Sequence, residues 1–299
     1  LMKSLVILGF LGVGFVAVAA PTGLYSGASQ QPISLERALS TVQPGSVLVI
    51  GENHGLKTHQ QQQIEILETL RLGGLKVSVG LEFLTYPDQA FVDQYVAGCL
   101  PEDQFLKAIH WGSPDFSYYK AQALFPDIQS GSATVALNSP AFLNHKIAKS
   151  GLDSLSPEEK NLLPPQFTVG NPAYQLRFQE SIPHPLPPEA LERWFVAQSL
   201  WDDTMAWRAQ SFLDLHPDQV LVIVVGEFHV QYGGGLPDRL KARGVSSVLT
   251  VSQINTSEED DSALLEILMP SPRDGVRADF LWLAPAVSLK GLSLGVPFR

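Results

Sequence analysis

Two hydrophobic rhythms run along this chain. Short unbroken apolar runs at Val47–Ile50, Val77–Leu81, Ala133–Leu137, Val220–Val225 and Ser247–Val251 read as buried strands. Between the first two, Thr58–Leu72 places Ile64, Leu67 and Leu70 three residues apart and stops at Gly73-Gly74, which is the pattern of an amphipathic helix closed by glycine. Strand, helix and strand in succession predict a βαβ unit with parallel pairing and a right-handed crossover.

From Asp88 to Gln129 the pattern turns helical and aromatic, carrying Phe91, Tyr95, Phe105, Trp111, Phe116, Tyr118, Tyr119 and Phe125. Leu152–Pro188 is dense in Pro, Ser and Gly and reads as an irregular excursion. A long helix is expected over Pro188–Leu215, where Leu191, Phe195, Gln198, Trp201 or Asp202, Met205 and Ala209 keep helical spacing. Pro237–Arg243 adds a helix, and Leu264–Met269 and Phe280–Leu283 are expected as edge strands. The whole predicts an α/β domain over 35–299, with a mainly parallel central sheet flanked by helices and a helical insertion over about 85–215.

Three strand ends carry the candidate chemistry. Val47–Ile50 runs into Gly51-Glu-Asn-His54, Val220–Val225 into Gly226-Glu-Phe-His229, and the third run ends on Glu82. In an open parallel sheet the C-terminal strand ends are where ligands bind. His54, Glu82 and His229 converging there suit a divalent metal ion, a hydrolytic centre or a cofactor pocket. For a hydrolase, His54, Glu82 and His229 would hold the ion, with Glu52 or Glu227 as general base. The strand-Gly-Glu-x-His ending occurs twice, which makes it more specific than either copy alone. A plain buried hydrogen-bond network is the bland alternative. His59 lies in the first turn of a glutamine-rich helix and is expected to be solvated.

Composition narrows the choice. The chain has 299 residues, 45% of them hydrophobic, enough for one large domain. A formal net charge of -10 with no local Lys/Arg cluster argues against a nucleic-acid partner. The single cysteine, Cys99, allows no intramolecular disulfide and no thiolate cage. Residues 1–20 carry one lysine, an apolar stretch and a small-x-small ending at Ala17-Val18-Ala19, the form of a secretory signal peptide; left uncleaved, they would be an N-terminal membrane anchor. An exported, periplasmic or otherwise extracytoplasmic protein follows. No cysteine follows the stretch, so a lipoprotein is not expected. Residues 21–34, rich in Gly, Ser, Gln and Pro, read as a flexible linker.

The assembled motifs resemble a known family. Gly51-Glu-Asn-His54, Leu81-Glu82-Phe83, Ala136-Leu-Asn-Ser-Pro140, Ala197–Ala206 and Gly226-Glu-Phe-His229 with Tyr232–Arg239 look like the ChaN-like haem-binding family, in order and spacing over most of Val47–Val251. That family shares a superfamily with erythromycin esterases and Tiki-type proteins, so the resemblance also keeps an enzyme reading open. It implies a haem-binding protein in iron uptake, working with membrane uptake machinery. Without CxxCH the haem would be non-covalent. Tyr232, His229, Tyr118, Tyr119, His145 and His110 are the candidate haem contacts, since iron accepts Tyr or His. A flat ligand shared between two subunits would make the protein a homodimer.

Overall fold

A computed structural model describes residues 22–285. The expected signal segment 1–20 lies outside them. In chain order the elements begin with β1 (Gly23–Ser26), α1 (Leu35–Ala38), β2 (Val47–Glu52), α2 (Lys57–Leu72) and β3 (Lys76–Thr85). The aromatic segment supplies α3 (Gln89–Val96), α4 (Glu102–Ala108) and α5 (Lys120–Ala123), followed by β4 (Thr134–Asn138) and α6 (Ala141–Ser150). Then come α7 (Pro157–Lys160), α8 (Pro172–Ser181), α9 (Pro188–Leu215), β5 (Gln219–Gly226), α10 (Leu236–Ala242), β6 (Val248–Asn255), α11 (Asp261–Leu268) and β7 (Phe280–Ala284).

The strands form one seven-stranded sheet in the order β1-β7-β6-β2-β5-β3-β4. Every pairing is parallel except that of β1 with β7. Each residue of β2 and of β5 is buried, because both faces of a parallel sheet are covered by its crossover helices. Side chains alternate across the sheet. Leu48, Ile50, Val220, Val222 and Val224 face one core with Ile66, Leu67 and Leu70 of α2 and the aromatics Phe105, Phe116 and Tyr119. Val47, Val49, Leu221, Ile223 and Val225 face the other, with Met205, Ala206 and Ala209 of α9 and Leu236 and Leu240 of α10.

Four expectations change. The segment expected as a flexible linker instead supplies β1, paired in register from Gly23–Leu283 to Ser26–Phe280, because the open edge of β7 offers unpaired backbone groups that four extended residues satisfy. Strands β2 and β3 are parallel but not adjacent: β5, almost wholly apolar, takes the buried place between them. Residues 152–188 are not irregular throughout, since Asn171 caps α8 by accepting from the Tyr174 amide. The run expected as a strand over Leu264–Met269 falls in α11 and its C-cap, Met269, with Asp260 as the N-cap and Leu264 and Leu268 buried one turn apart. The long helix α9 and strand β7 form where the pattern places them.

The open edge of β4 is closed by a side chain. The Gln89 amide donates to the Thr134 carbonyl at 2.8 Å and accepts from the Ala136 amide at 2.7 Å, imitating a further strand. No helix among the described residues is long and apolar enough to cross a membrane.

Candidate functional site

With β5 between β2 and β3, the C-terminal ends that deliver His54, Glu82 and His229 become neighbours. His229 lies in a turn after β5, buried, with both ring nitrogens engaged. Its Nδ1 is 2.6 Å from Asp202 Oδ1 on α9, and its Nε2 is 3.4 Å from Glu82 Oε1 at the end of β3. Glu82 Oε2 accepts from the Gly226 amide at 2.6 Å. Asp202 is held from its other side by the Tyr174 hydroxyl at 2.9 Å.

Charge follows from this geometry. Burial by itself would lower the His229 pKa, but the Asp202 and Glu82 carboxylates outweigh it and raise it to about 10. Burial likewise opposes ionisation of Glu82, and His229, His54 and the Gly226 amide bring it down to about 2. His229 is therefore an imidazolium clamped between two carboxylates.

His54 occupies a different position. Its Nδ1 donates to Glu52 Oε1 at 3.0 Å, and its side chain keeps 31% of its surface exposed. Burial lowers its pKa, yet the Glu52 hydrogen bond and the Glu82 and Glu52 charges leave it raised. Glu52 is fixed beneath it by the Tyr119 hydroxyl at 2.5 Å and the Gln63 amide at 2.6 Å. The network continues from Gln63 to Gln253 and Gln122. A methyl group at Gly226 would come 3.1 Å from His54 Nε2, so the bare backbone there leaves room for the imidazole.

The other predicted residues scatter. Glu227 turns away to accept from Ser252 at 2.5 Å and from Arg277 Nε at 3.0 Å, and burial pushes its pKa up. Tyr119 is fully buried with its hydroxyl committed to Glu52, and Tyr118 is buried beside Gly55. His110 and His145 are exposed, the first just beyond α4 and the second on α6. His59 is buried rather than solvated: its Nδ1 accepts from the Asn53 amide at 3.1 Å, and burial lowers its pKa to about 4.

Metal binding by His54, Glu82 and His229 does not follow from their convergence. Among the described residues no group of three or more His, Cys, Asp or Glu is arranged to hold an ion. Each ring nitrogen of His229 already faces a carboxylate, Nδ1 that of Asp202 and Nε2 that of Glu82.

Tyr232 meets the requirements of an iron porphyrin better. Such a ligand needs one uncommitted Tyr or His and cations for its carboxylates. Tyr232 is half-buried, and among the described residues its hydroxyl makes no hydrogen bond. The Arg177 and Arg277 guanidinium carbons lie 5.4 and 5.8 Å from its ring centre. Its backbone is held left-handed, at φ 59° and ψ 23°, with its amide donating to the Arg277 carbonyl at 2.6 Å; such a conformation in a tyrosine persists only where surroundings impose it. Arg177 binds Asp274 at 2.9 Å and keeps its buried Nε without a partner.

The sequence reading missed Asp202 as the partner of His229, and also Tyr174, Gln63, Arg177 and Arg277. Asp202 left a trace, a carboxylate standing in the buried stripe of a long helix. The arginines left none, because the contacts that define them are non-local.

These features define an open-sheet α/β protein with an ion-paired polar site and a bracketed tyrosine at the carboxyl edge of its sheet. The chain belongs to the ChaN family of haem-binding uptake proteins, in the Tiki superfamily, whose model matches residues 38–240. It is similar in structure to ChaN of Campylobacter jejuni, described with cofacial haem binding, at a TM-score of 0.61 and 18% identity over 87% of this chain and 95% of that one. A Bacillus cereus protein (TM-score 0.46, 12% identity, 85% and 92% covered) and a mutant of erythromycin esterase EreC in its open conformation (0.44, 12%, 77% and 76%) are more distant likenesses. Among curated proteins none matches the chain in sequence.

Proposed function

We propose that this protein binds haem non-covalently at the carboxyl edge of the sheet, with the Tyr232 phenol toward the iron and Arg177 and Arg277 toward the propionates. The observation that carries the reading is Tyr232 itself, an uncommitted phenol held in a left-handed backbone between two guanidinium groups. Family membership supports the choice of ligand. When bound, haem would supply an iron centre that accepts an oxygen ligand; the chain's own residues bind it, orient it and balance its carboxylates. Arg277 is steadied for this by Glu227 and Ser252, and Arg177 by Asp274. Export, a part in iron uptake with membrane machinery, and a homodimer that shares the flat ligand complete the proposal. Haem titration followed by absorbance tests it: saturation at one haem or less per chain supports the reading, and a featureless linear rise overturns it.

One observation favours a second reading, a hydrolase that needs no metal. His54 is partly exposed, its Nδ1 is oriented by Glu52, and its Nε2 makes no hydrogen bond among the described residues. An imidazole so placed can take a proton from water attacking an ester or amide. In this version Glu52 orients the base, and Glu227 has no part. Chelator-insensitive cleavage of a panel of activated esters, lost in His54→Ala, is its test.

A further inference from the structure

A pocket lies away from the strand ends that carry His54 and His229, where α9 crosses the start of β4. Its volume is about 210 Å³, close to seven water volumes at roughly 30 Å³ each. Ala133, Thr134 and Val135 form one wall, and α9 forms the other with Arg208, Ser211, Phe212 and Leu215. Those four stand at positions i, i+3, i+4 and i+7 and so share one helix face. An arginine one turn from Phe212 and two from Leu215 is the anomaly.

Among the described residues Arg208 has no counter-ion. Its guanidinium lies over the rings of Tyr86 and Trp207, at 5.7 and 5.5 Å from their centres. Its Nε is buried without a hydrogen-bond partner, and among the described residues the side chain forms no ion pair. Burial lowers its pKa, which registers an uncompensated cost of desolvation. Its aromatic neighbours hold the guanidinium plane in place, and stacking leaves the in-plane N–H groups open. The amide of Gln89, at the rim, is already spent on Thr134 and Asp93, so it does not neutralise Arg208. Leu215 stands 78% exposed at the mouth, an apolar side chain open to solvent among the described residues.

We propose that this pocket binds a small monocarboxylate with an unbranched or lightly branched apolar body. The carboxylate sits on the Arg208 fork, and the body lies along Val135, Phe212 and Leu215. One cation among the lining residues matches one negative charge. A phosphate dianion would require a second cation, which the pocket lacks, and the net charge of -10 disfavours polyanions further. The pocket is independent of the proposed haem site, since none of its lining residues contacts Tyr232 or His54.

Calorimetric titration of the full chain with octanoate, and with octanol as the uncharged probe, tests the assignment. Octanoate is expected to bind saturably at one site. Arg208→Met weakens it at least tenfold while leaving octanol unchanged, and Tyr232→Phe leaves octanoate affinity intact. Leu215→Glu, at an exposed position that does not endanger folding, places a like charge at the mouth and also weakens octanoate several-fold. Absence of saturable binding, equal octanoate affinity in wild type and in both pocket variants, or loss of octanoate binding in Tyr232→Phe would overturn the proposal.

Discussion

His229 Nδ1 stands 2.6 Å from Asp202 Oδ1, and that contact ties the turn after β5 to the middle of α9. Both side chains are almost wholly buried, so neither has water to fall back on. The pair therefore fixes the helix layer to the sheet at the point where the site is built.

Asp202→Asn keeps the shape and removes the charge. Breaking one partner of a buried ion pair costs about 3–5 kcal/mol. Thermal unfolding is expected roughly 5–15 °C lower than in the wild type. An unchanged melting temperature would mean that the pair carries no net stabilisation.

The pH dependence of stability follows from two groups of opposite sign. His229, raised to about 10 in the fold against an ordinary 6.5, contributes fully below pH 6.5, and that contribution is lost as pH rises through about 10. Glu82, lowered to about 2 from an ordinary 4.5, contributes above pH 4.5 and is lost as pH falls toward 2. Because the two share one ion pair, the combined loss at either extreme is on the order of 3 kcal/mol rather than the sum of both shifts. Urea midpoints across pH 3–10 are expected to peak near pH 5–6. The alkaline limb should disappear in His229→Gln.

The two tyrosines in the polar region have different tasks. Tyr232→Phe removes the free phenol, and the haem spectrum is expected to lose its ligand-dependent features with at least a tenfold fall in affinity. Tyr119→Phe breaks the bond to Glu52 inside the protein and costs about 1–3 kcal/mol of stability. Haem affinity should be nearly unchanged there. The reverse pattern in the absorbance titration would move the iron ligand elsewhere.

Two glycines separate packing from binding. A methyl group at Gly51 would run into the Glu227 carboxylate and come 3.0 Å from Val230, so Gly51→Ala should lower stability by about 1–3 kcal/mol. Gly234 has an ordinary φ of -73°, and its methyl group would meet the far end of Arg177. It would also come 3.1 Å from the buried Tyr174 ring, so Gly234→Ala should cost about 1 kcal/mol of stability, displace Arg177 from beside Tyr232 and weaken haem several-fold. Melting curves and haem titrations on both variants distinguish the two effects.

Much of the fold is local and was legible as such. The apolar runs at Val47–Ile50 and Val220–Val225, the glycine stop after Leu72 and the stripe along Pro188–Leu215 carry their own periodicity, and each becomes the element it predicts. The short caps were harder to read. Asn171 begins a helix with little apolar content to announce it, and Asp260 one whose short apolar run reads equally as a strand. The segment 23–26 has no strand pattern of its own and is ordered by the edge of β7.

The sequence by itself determined that three strands end in Glu and His and that those ends lie on one side of a parallel sheet. Periodicity and short-range turn chemistry are properties of neighbouring residues, so no tertiary contact is needed to read them. Tertiary structure decided the rest. By inserting β5 between β2 and β3 it made Glu82, His54 and His229 neighbours. By laying α9 across the sheet it brought Asp202 to His229, so that the two form a buried pair. It also committed Tyr119 and His229 to carboxylates and brought Arg177 and Arg277 from distant segments to flank the Tyr232 ring. Charge state and ligand availability depend on what surrounds a group in space, and nothing in a linear spacing records that.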